Sequence, residues 1–426
     1  MSELRRYPDY KDSGVPWLGE IPSHWEATKL KFMAKIKNGS DYKNIQADEG
    51  YPIIGSGGQF AYGSDYLYKG ESVLLGRKGT IDKPLYVNCA FWTVDTMYYT
   101  KVYDNTSPKF LYYCALTIDF WKYSTQTALP SMTQTTLSNI KFAVPKINEQ
   151  QSIVDFLDDK LDHIDTLISK QQQLIEKLAE QRSAVITHAV TKGLNPDVPM
   201  KDSGVEWLGE IPKHWELTRL KNSIISAQNG VWGNEEEGDS NDLVCIRVAD
   251  FDRNKLIVKN DKLTIRNVSD KDYDNRGLKE GDLLLEKSGG GDKQLVGCVV
   301  LNSFSGKSVC SNFVAKVSLK EHMVPRYWTY QHNVLYEAKV NMRSIKQSTG
   351  IQNLDATLYF NELACFPGYE EQVEIANYLD NETQKIDQMS KATTDIITKL
   401  QEYRAALITQ AVTGKIDVRH LNQQAS

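Results

Sequence analysis

Apolar residues recur at alternating spacings of three and four through residues 148–191: Val154, Leu157, Leu161, Ile164, Ile168, Gln171, Ile175, Leu178, Arg182, Val185 and Ala189. Nine of these eleven are apolar and no Gly or Pro interrupts the run, the heptad seam of a helix that packs on another helix. At ~1.5 Å per residue it spans roughly 65 Å, longer than a globular domain needs. Moving the register on by 222 residues gives Ala376, Leu379, Thr383, Ile386, Ser390, Thr393, Ile397, Leu400, Arg404, Leu407 and Ala411, a second helix with seven apolar seam positions. Residues 149–162 carry five acids (Glu149, Asp155, Asp158, Asp159, Asp162) against Lys160. Acids suit a helix N-terminus, and that face repels DNA. Gly193 and Gly414, each soon after a shared AVT, are placed as C-terminal caps.

Between and before the helices the pattern changes. Residues 28–147 and 218–369 hold short β-branched and aromatic runs such as SVLLGR, LYVNCAF, DLLLEKS and QLVGCVVL, broken by Gly, Asn and Asp. This predicts mixed, strand-rich structure with irregular loops. The chain also repeats itself. KDSGVPWLGEIPSHWEATKLK (11–31) returns as KDSGVEWLGEIPKHWELTRLK (201–221), with 17 of 21 residues identical at an offset of 190. EQQSIVDFLDDKLDHID from Glu149 returns as EQVEIANYLDNETQKID from Glu371, and RSAVITHAVT from Arg182 as RAALITQAVT from Arg404, both at 222. So long a period is no solenoid. The frame is duplicated, and what it frames is varied. The expected fold class is α+β: a strand-rich domain over 1–147, a spacer helix over 148–195, a second such domain over 196–369, and a second helix with a C-terminal tail over 370–426.

Composition excludes several classes. The 426 residues suffice for two to four domains, and 41% hydrophobic with 25% charged residues is ordinary for a soluble protein. No run approaches 18 apolar residues, and MSELRRYPDYKDSG has no apolar signal core; a cytoplasmic location is expected. Six scattered cysteines without a CxxC pair predict reduced, buried thiols and no zinc site. A net charge of −5 argues against a uniformly basic nucleic-acid binder, though local charge sets the field a ligand meets. From Thr28 to Gln46 stand five lysines against Asp41, and between Ala338 and Gly350 stand Lys339, Arg343 and Lys346 with no acid.

No catalytic constellation emerges. HExxH, GxSxG, a Walker loop and an Asn/Asp-Pro-Pro-aromatic methyl-transfer motif are missing, and the DxK fragments at Asp9–Lys11 and Asp41–Lys43 are short enough to be chance. IIGSGGQFAYGS (53–64), GRKGT (76–80) and EKSGGGDKQ (286–294) are either solvated turns or loops through which backbone approaches a partner closely. STQTALPSMTQTT (124–136) and IKQSTGIQNL (345–354) are polar connectors or base-reading segments, and they precede the two helices at similar distances. Trp17/Trp207, Trp25/Trp215 and His24/His214 belong to the constant frame and are expected to anchor cores.

The DSG-x-WLGEIP-x-HW string and its echo, the P-x-x-x-EQ helix starts (Pro145/Glu149/Gln150 and Pro367/Glu371/Gln372) and the closing ITHAVT and ITQAVT resemble the specificity subunits of type I restriction–modification systems over essentially the whole chain. The resemblance implies two target recognition domains separated by two antiparallel coiled-coil helices with a pseudo-two-fold axis. Each domain then binds half of an asymmetric bipartite DNA site, and the helices set the spacing. The implied partners are double-stranded DNA, two adenine methyltransferase subunits and two ATP-dependent restriction subunits, with no membrane. The chain itself is implied to be non-catalytic and to bind no cofactor; S-adenosylmethionine, ATP and Mg belong to the partners. For DNA contacts the variable loops offer Lys37, Tyr42, Lys43, Ser56, Gln59, Arg77, Lys78, Gln126, Ser131 and Gln134 in the first domain. The second offers Trp232, Asn234, Arg247, Lys287, Gln294, Lys346, Gln347 and Gln352. Lysines are expected to hold phosphate, with Arg77, Arg247 and the glutamines at base edges. An autonomous two-headed DNA-binding regulator and a coiled-coil protein scaffold remain the competing readings.

Overall fold

The computed structural model describes residues 5–125, 128–290, 294–348 and 350–420. Its two long helices run Ile147–Lys192 and Tyr369–Val412. All eleven seam positions of each are buried or half-buried, Arg182 and Arg404 included. The chain divides into two compact units, residues 1–173 with 393–426, and residues 174–392.

In the first unit a seven-stranded mixed sheet runs in the order Ala34–Asn38, Met97–Val102, Tyr68–Gly76, Leu85–Thr93, Tyr51–Gly55, Gly58–Gly63, Gln46–Ala47. The repeated frame forms a hairpin-like pair, Tyr10–Asp12 against Glu20–Pro22, and a strand, Glu26–Lys29, paired with Lys141–Val144 just before the first long helix. Trp25, Leu30, Phe110, Phe142 and Leu157 are fully buried in one core with Leu407, Ile408 and Ala411 of the second long helix. As the first helix advances from Glu149 to Asp165, the facing chain recedes from Arg419, just past the second helix, to Arg404 within it, so the two run antiparallel here.

The second unit repeats the frame: Met200–Asp202 pairs with Glu210–Pro212, and Glu216–Arg219 with Leu363–Phe366. Its main sheet has six strands, ordered Ile224–Asn229, Val314–Leu319, Leu283–Glu286, Val299–Leu301, Ile257–Val258, Phe251–Asp252. The central Leu283-Leu284-Leu285 run is buried on both faces, which is why it shows no alternation. Arg182 bonds Asp387 at 2.9 Å. This is the Asp165–Arg404 pair of the first unit (2.9 Å) read 222 residues along, with the partners exchanged.

The repeated strings are each other's partners. Glu149 accepts from Trp25 Nε1 (3.1 Å) and Tyr7 OH (2.8 Å) and faces His24 Nε2 (2.9 Å); Glu371 does the same for Trp215 (2.7 Å) and His214 (3.0 Å). Gln150, fully buried, accepts from Ser107 N–H and donates to the Asn105 and Pro145 carbonyls. Gln372 accepts from Val324 N–H and donates to the Pro367 carbonyl. A lysine at or just past each helix end, Lys192 or Lys415, donates to carbonyls of a WLGE loop. Buried amides of this kind leave no donor or acceptor orphaned, so the EQ pair fixes each domain on its helix.

A third echo lies in the varied part. PKFLYY (108–113) and PRYWTY (325–330) open helices Pro108–Ala115 and Pro325–Glu337. Lys109 (2.5 Å) and Tyr113 (2.6 Å) bind Asp158; Arg326 (2.6 Å) and Tyr330 (2.8 Å) bind Asp380. Five of the six cysteines are buried. Burial pushes the Cys298, Cys310 and Cys365 thiols up to about 12, which leaves them inert.

Candidate nucleic-acid interface

Apart from that echo the two varied domains share no obvious sequence outside the frame, yet one hydrogen-bond pattern builds the loops at the same end of both main sheets. In the first unit Gly39 N–H donates to the Met97 carbonyl, Ser40 to Thr93, Arg77 and Lys78 to Thr96, and Met132 to Arg77. In the second, Gly230 N–H donates to Val314, Val231 to Cys310, Lys287 and Ser288 to Phe313, and Leu354 to Lys287. The strand-leaving loops Arg77–Lys78 and Lys287–Ser288 therefore occupy one structural place, as do Thr93–Thr96 and Cys310–Phe313. The scaffold is constant, and the side chains it presents differ.

Glycine is required at the crossing. A Cβ at Gly39 would stand 2.0 Å from the Val94 carbonyl oxygen, and one at Gly230 1.9 Å from that of Cys310. Either alanine must push the loop off its strand. We expect Gly39→Ala and Gly230→Ala each to abolish sequence-specific binding through one unit only, read by selection of bound sites from a random DNA pool.

In the first unit this scaffold gathers Ser56, Arg77, Lys78 and Ser131. Ser56 N–H donates to Thr96 Oγ1 (3.3 Å), and Lys78 bridges Ser131 through backbone. The Arg77 guanidinium rests near the Tyr98 ring and donates to the Asp95 carbonyl. Tyr42 packs edge-on against Phe60, which is itself exposed, and Lys43 and Gln59 are exposed nearby in sequence. Lys37 sits half-buried on strand Ala34–Asn38, and Gln134 spends its amide on the Ile36 carbonyl (3.0 Å). Gln126 lies outside the described residues.

In the second unit Trp232 and Arg247 line a cavity of ≈480 Å³ together with Ser288–Gly290 and Ser311–Phe313. Arg247 is held by Asp250 through Nε and Nη2 (3.3 and 3.1 Å). Lys287 donates to Asn229 (2.7 Å). Lys346 pairs with Asp355 and holds that carboxyl below its usual range. Gln294 places its side-chain amide against the Arg253 guanidinium, and Gln352 is buried, accepting from Val296 N–H. Asn234 pairs through backbone with Asn267. The side chain of Gln347 is outside the described residues. Asn312 and Phe313, which sequence did not single out, share the cavity with Glu286 of the 286–294 loop. The Cys-Ser-Asn-Phe run carries no motif, so only the repeated PxxxxY spacing downstream could have aligned the two domains and exposed the match.

Among the described residues no group of three or more His, Cys, Asp or Glu could hold a metal. No helix among them is long and apolar enough to cross a membrane.

Residues 22–177 match the family described as type I restriction modification DNA specificity domain. The type I restriction enzyme MjaVIII specificity subunit of Methanocaldococcus jannaschii is 23% identical over 354 residues, covering 82% of this chain and 77% of its own. The EcoBI specificity subunit of Escherichia coli is 20% identical, covering 95% and 89%. Two solved structures share the fold. A chain described under complex assembly and conformational transition of the type I R-M system has a TM-score of 0.68 at 14% identity, over 92% of this chain and 98% of that one. The HsdS subunit of Thermoanaerobacter tengcongensis has a TM-score of 0.50 at 13% identity, over 93% and 98%.

Proposed function

We propose, for a chain that belongs to the type I restriction–modification specificity subunits, that each unit's loop cluster reads one half of an asymmetric, two-part DNA site. The observation that carries this is the single loop scaffold built twice and furnished differently: Arg77, Lys78 and Thr96 in one unit stand where Lys287, Ser288 and Phe313 stand in the other. Two unlike readers on a common frame suit a site whose halves differ. Backbone-held loops present side chains in a fixed register, with lysines on phosphate and the remaining polar groups on base edges.

The chain positions chemistry that others perform. Exposed apolar residues recur at matched helix positions, Ile147/Tyr369, Leu167/Met389 and Leu174/Ile396, as a partner docking on both repeats would use them. We take that partner to be an adenine methyltransferase, two copies of which dock on the repeated elements with S-adenosylmethionine; restriction subunits bring ATP and Mg, in the cytoplasm. These paired positions favour the assembly over an autonomous regulator.

Co-expression with the methyltransferase and methylation mapping of host DNA tests the reading. The expected result is a gapped motif modified only when this chain is present; methylation indifferent to the chain overturns it. Adding one heptad to both long helices lengthens them by ~10 Å. The same mapping should then return unchanged half-sites with a spacer longer by about three base pairs; altered half-sites with the old spacer would sink the ruler.

A further inference from the structure

The cavity in the second unit has features that phosphate-holding loops do not need. Two large aromatics stand at its walls half-exposed, Trp232 at 39% and Phe313 at 49%. Trp232 is held in place from one side: the Arg266 guanidinium lies 4.6 Å from its ring and donates to the Trp232 and Gly233 carbonyls. That arrangement fixes the ring before anything binds and leaves it ready to stack on a second flat group. Gly289 and Gly290, both at positive φ (127° and 65°), bring bare backbone to the rim.

The polar groups are specific. Glu286 lines the cavity at 1% exposure. Its Oε2 accepts from Arg253 (2.8 Å), and the Cys298 backbone also helps hold the carboxylate. Its structural counterpart in the first unit is Gly76, since both end the strand that leads into the aligned Arg77 and Lys287, so the carboxylate is an addition in the second domain. A carboxylate has about four acceptor sites, which these partners do not exhaust, and beside aromatic walls it suits the exocyclic amine of a base. Asn312, exposed at the rim, makes no side-chain hydrogen bond among the described residues.

We infer that this cavity receives one unstacked, amino-bearing nucleobase, adenine or cytosine, of the half-site read by the second unit, with Trp232 stacking on it and Glu286 accepting from its exocyclic amine. The inference rests on the DNA-reading function proposed above. The base is the occupant rather than a bulkier group because flat walls, a Gly-lined rim and one deep acceptor match a planar ring with one donor edge.

The test starts from the site mapped by methylation, so a chain that directs no methylation fails at that earlier step. Duplexes then carry, one position at a time, purine for adenine or a cytosine analogue lacking its 4-amino group, and binding by the chain–methyltransferase complex is measured. One position in the second half-site should lose roughly 10–100-fold affinity. Trp232→Ala, a surface change, should lose a similar factor on the natural site and leave discrimination within the first half-site untouched. Glu286→Gln should shrink the penalty for the amine-free base to a few-fold. In wild type, 2-aminopurine beside the sensitive position should brighten on binding as its neighbour leaves the stack. Loss of affinity spread evenly over positions, or unchanged fluorescence, overturns the inference. So does saturable binding of adenosine or cytidine abolished by Trp232→Ala without any position effect in DNA, which would give the cavity to a free nucleoside.

Discussion

Lowering the pH from 7 to 4 is expected to weaken the second unit by roughly 3 kcal/mol through one side chain, His332. It is 1% exposed, stacked on Tyr359, with Nδ1 2.7 Å from the Tyr359 hydroxyl and Nε2 facing no partner among the described residues. Burial alone drives its pKa from 6.5 down to about 3. The unfolded chain takes up a proton near pH 6.5, whereas the folded unit keeps the ring neutral until about 3. The contribution is therefore complete above pH 6.5 and is lost as pH falls through that window, at about 1.4 kcal/mol per unit. Urea midpoints of the full chain between pH 7 and 4, compared with His332→Gln, check this. The variant should be less stable at pH 7 and have a shallower slope; equal slopes would show that the ring does not control it.

The second large effect lies in the helix starts. Gln150→Leu removes the acceptor for Ser107 N–H and the donor for the Asn105 and Pro145 carbonyls, all within the first unit. Leaving buried polar groups unpaired costs about 1–3 kcal/mol each, so a total loss of about 3 kcal/mol or more is expected. For a unit of this size that lowers the melting temperature by roughly 6–12 °C. Gln372→Leu, with two bonds rather than three, should cost less and act on the second unit. Calorimetry would separate the two, and a loss below 1 kcal/mol for Gln150→Leu would remove the amide from any anchoring role.

Much of this was legible in the sequence. Both heptad seams fall inside the two long helices, because a seam of 3.5 spacing states its partner's presence directly. The strand-rich character of the varied parts was equally plain. That Glu149 and Glu371 grip Trp25 and Trp215 was not, since partners over a hundred residues apart leave no periodicity. The loop scaffold was hidden for another reason: it is made of backbone bonds, which almost any sequence can supply, and only Gly39 and Gly230 are constrained by it. Glutamine content is ambiguous in a particular way. Gln134 and Gln352 sit in the polar segments expected to reach bases, but their amides also satisfy backbone groups at strand and loop ends, and composition does not say which.

The first unit is assembled from the two ends of the chain: residues 393–426 complete a core begun before residue 173. On the ribosome the order is therefore inverted. The second unit, residues 174–392, is contiguous and can close as soon as it emerges, while the first waits for everything behind it to be made. At about 5–20 residues per second that wait lasts roughly 10–45 s, with Leu157, Leu161 and Ile164 uncovered. A nascent chain held just short of Leu407 should be protease-sensitive over its first 170 residues and resistant in the middle, the reverse of the usual N-terminus-first sequence.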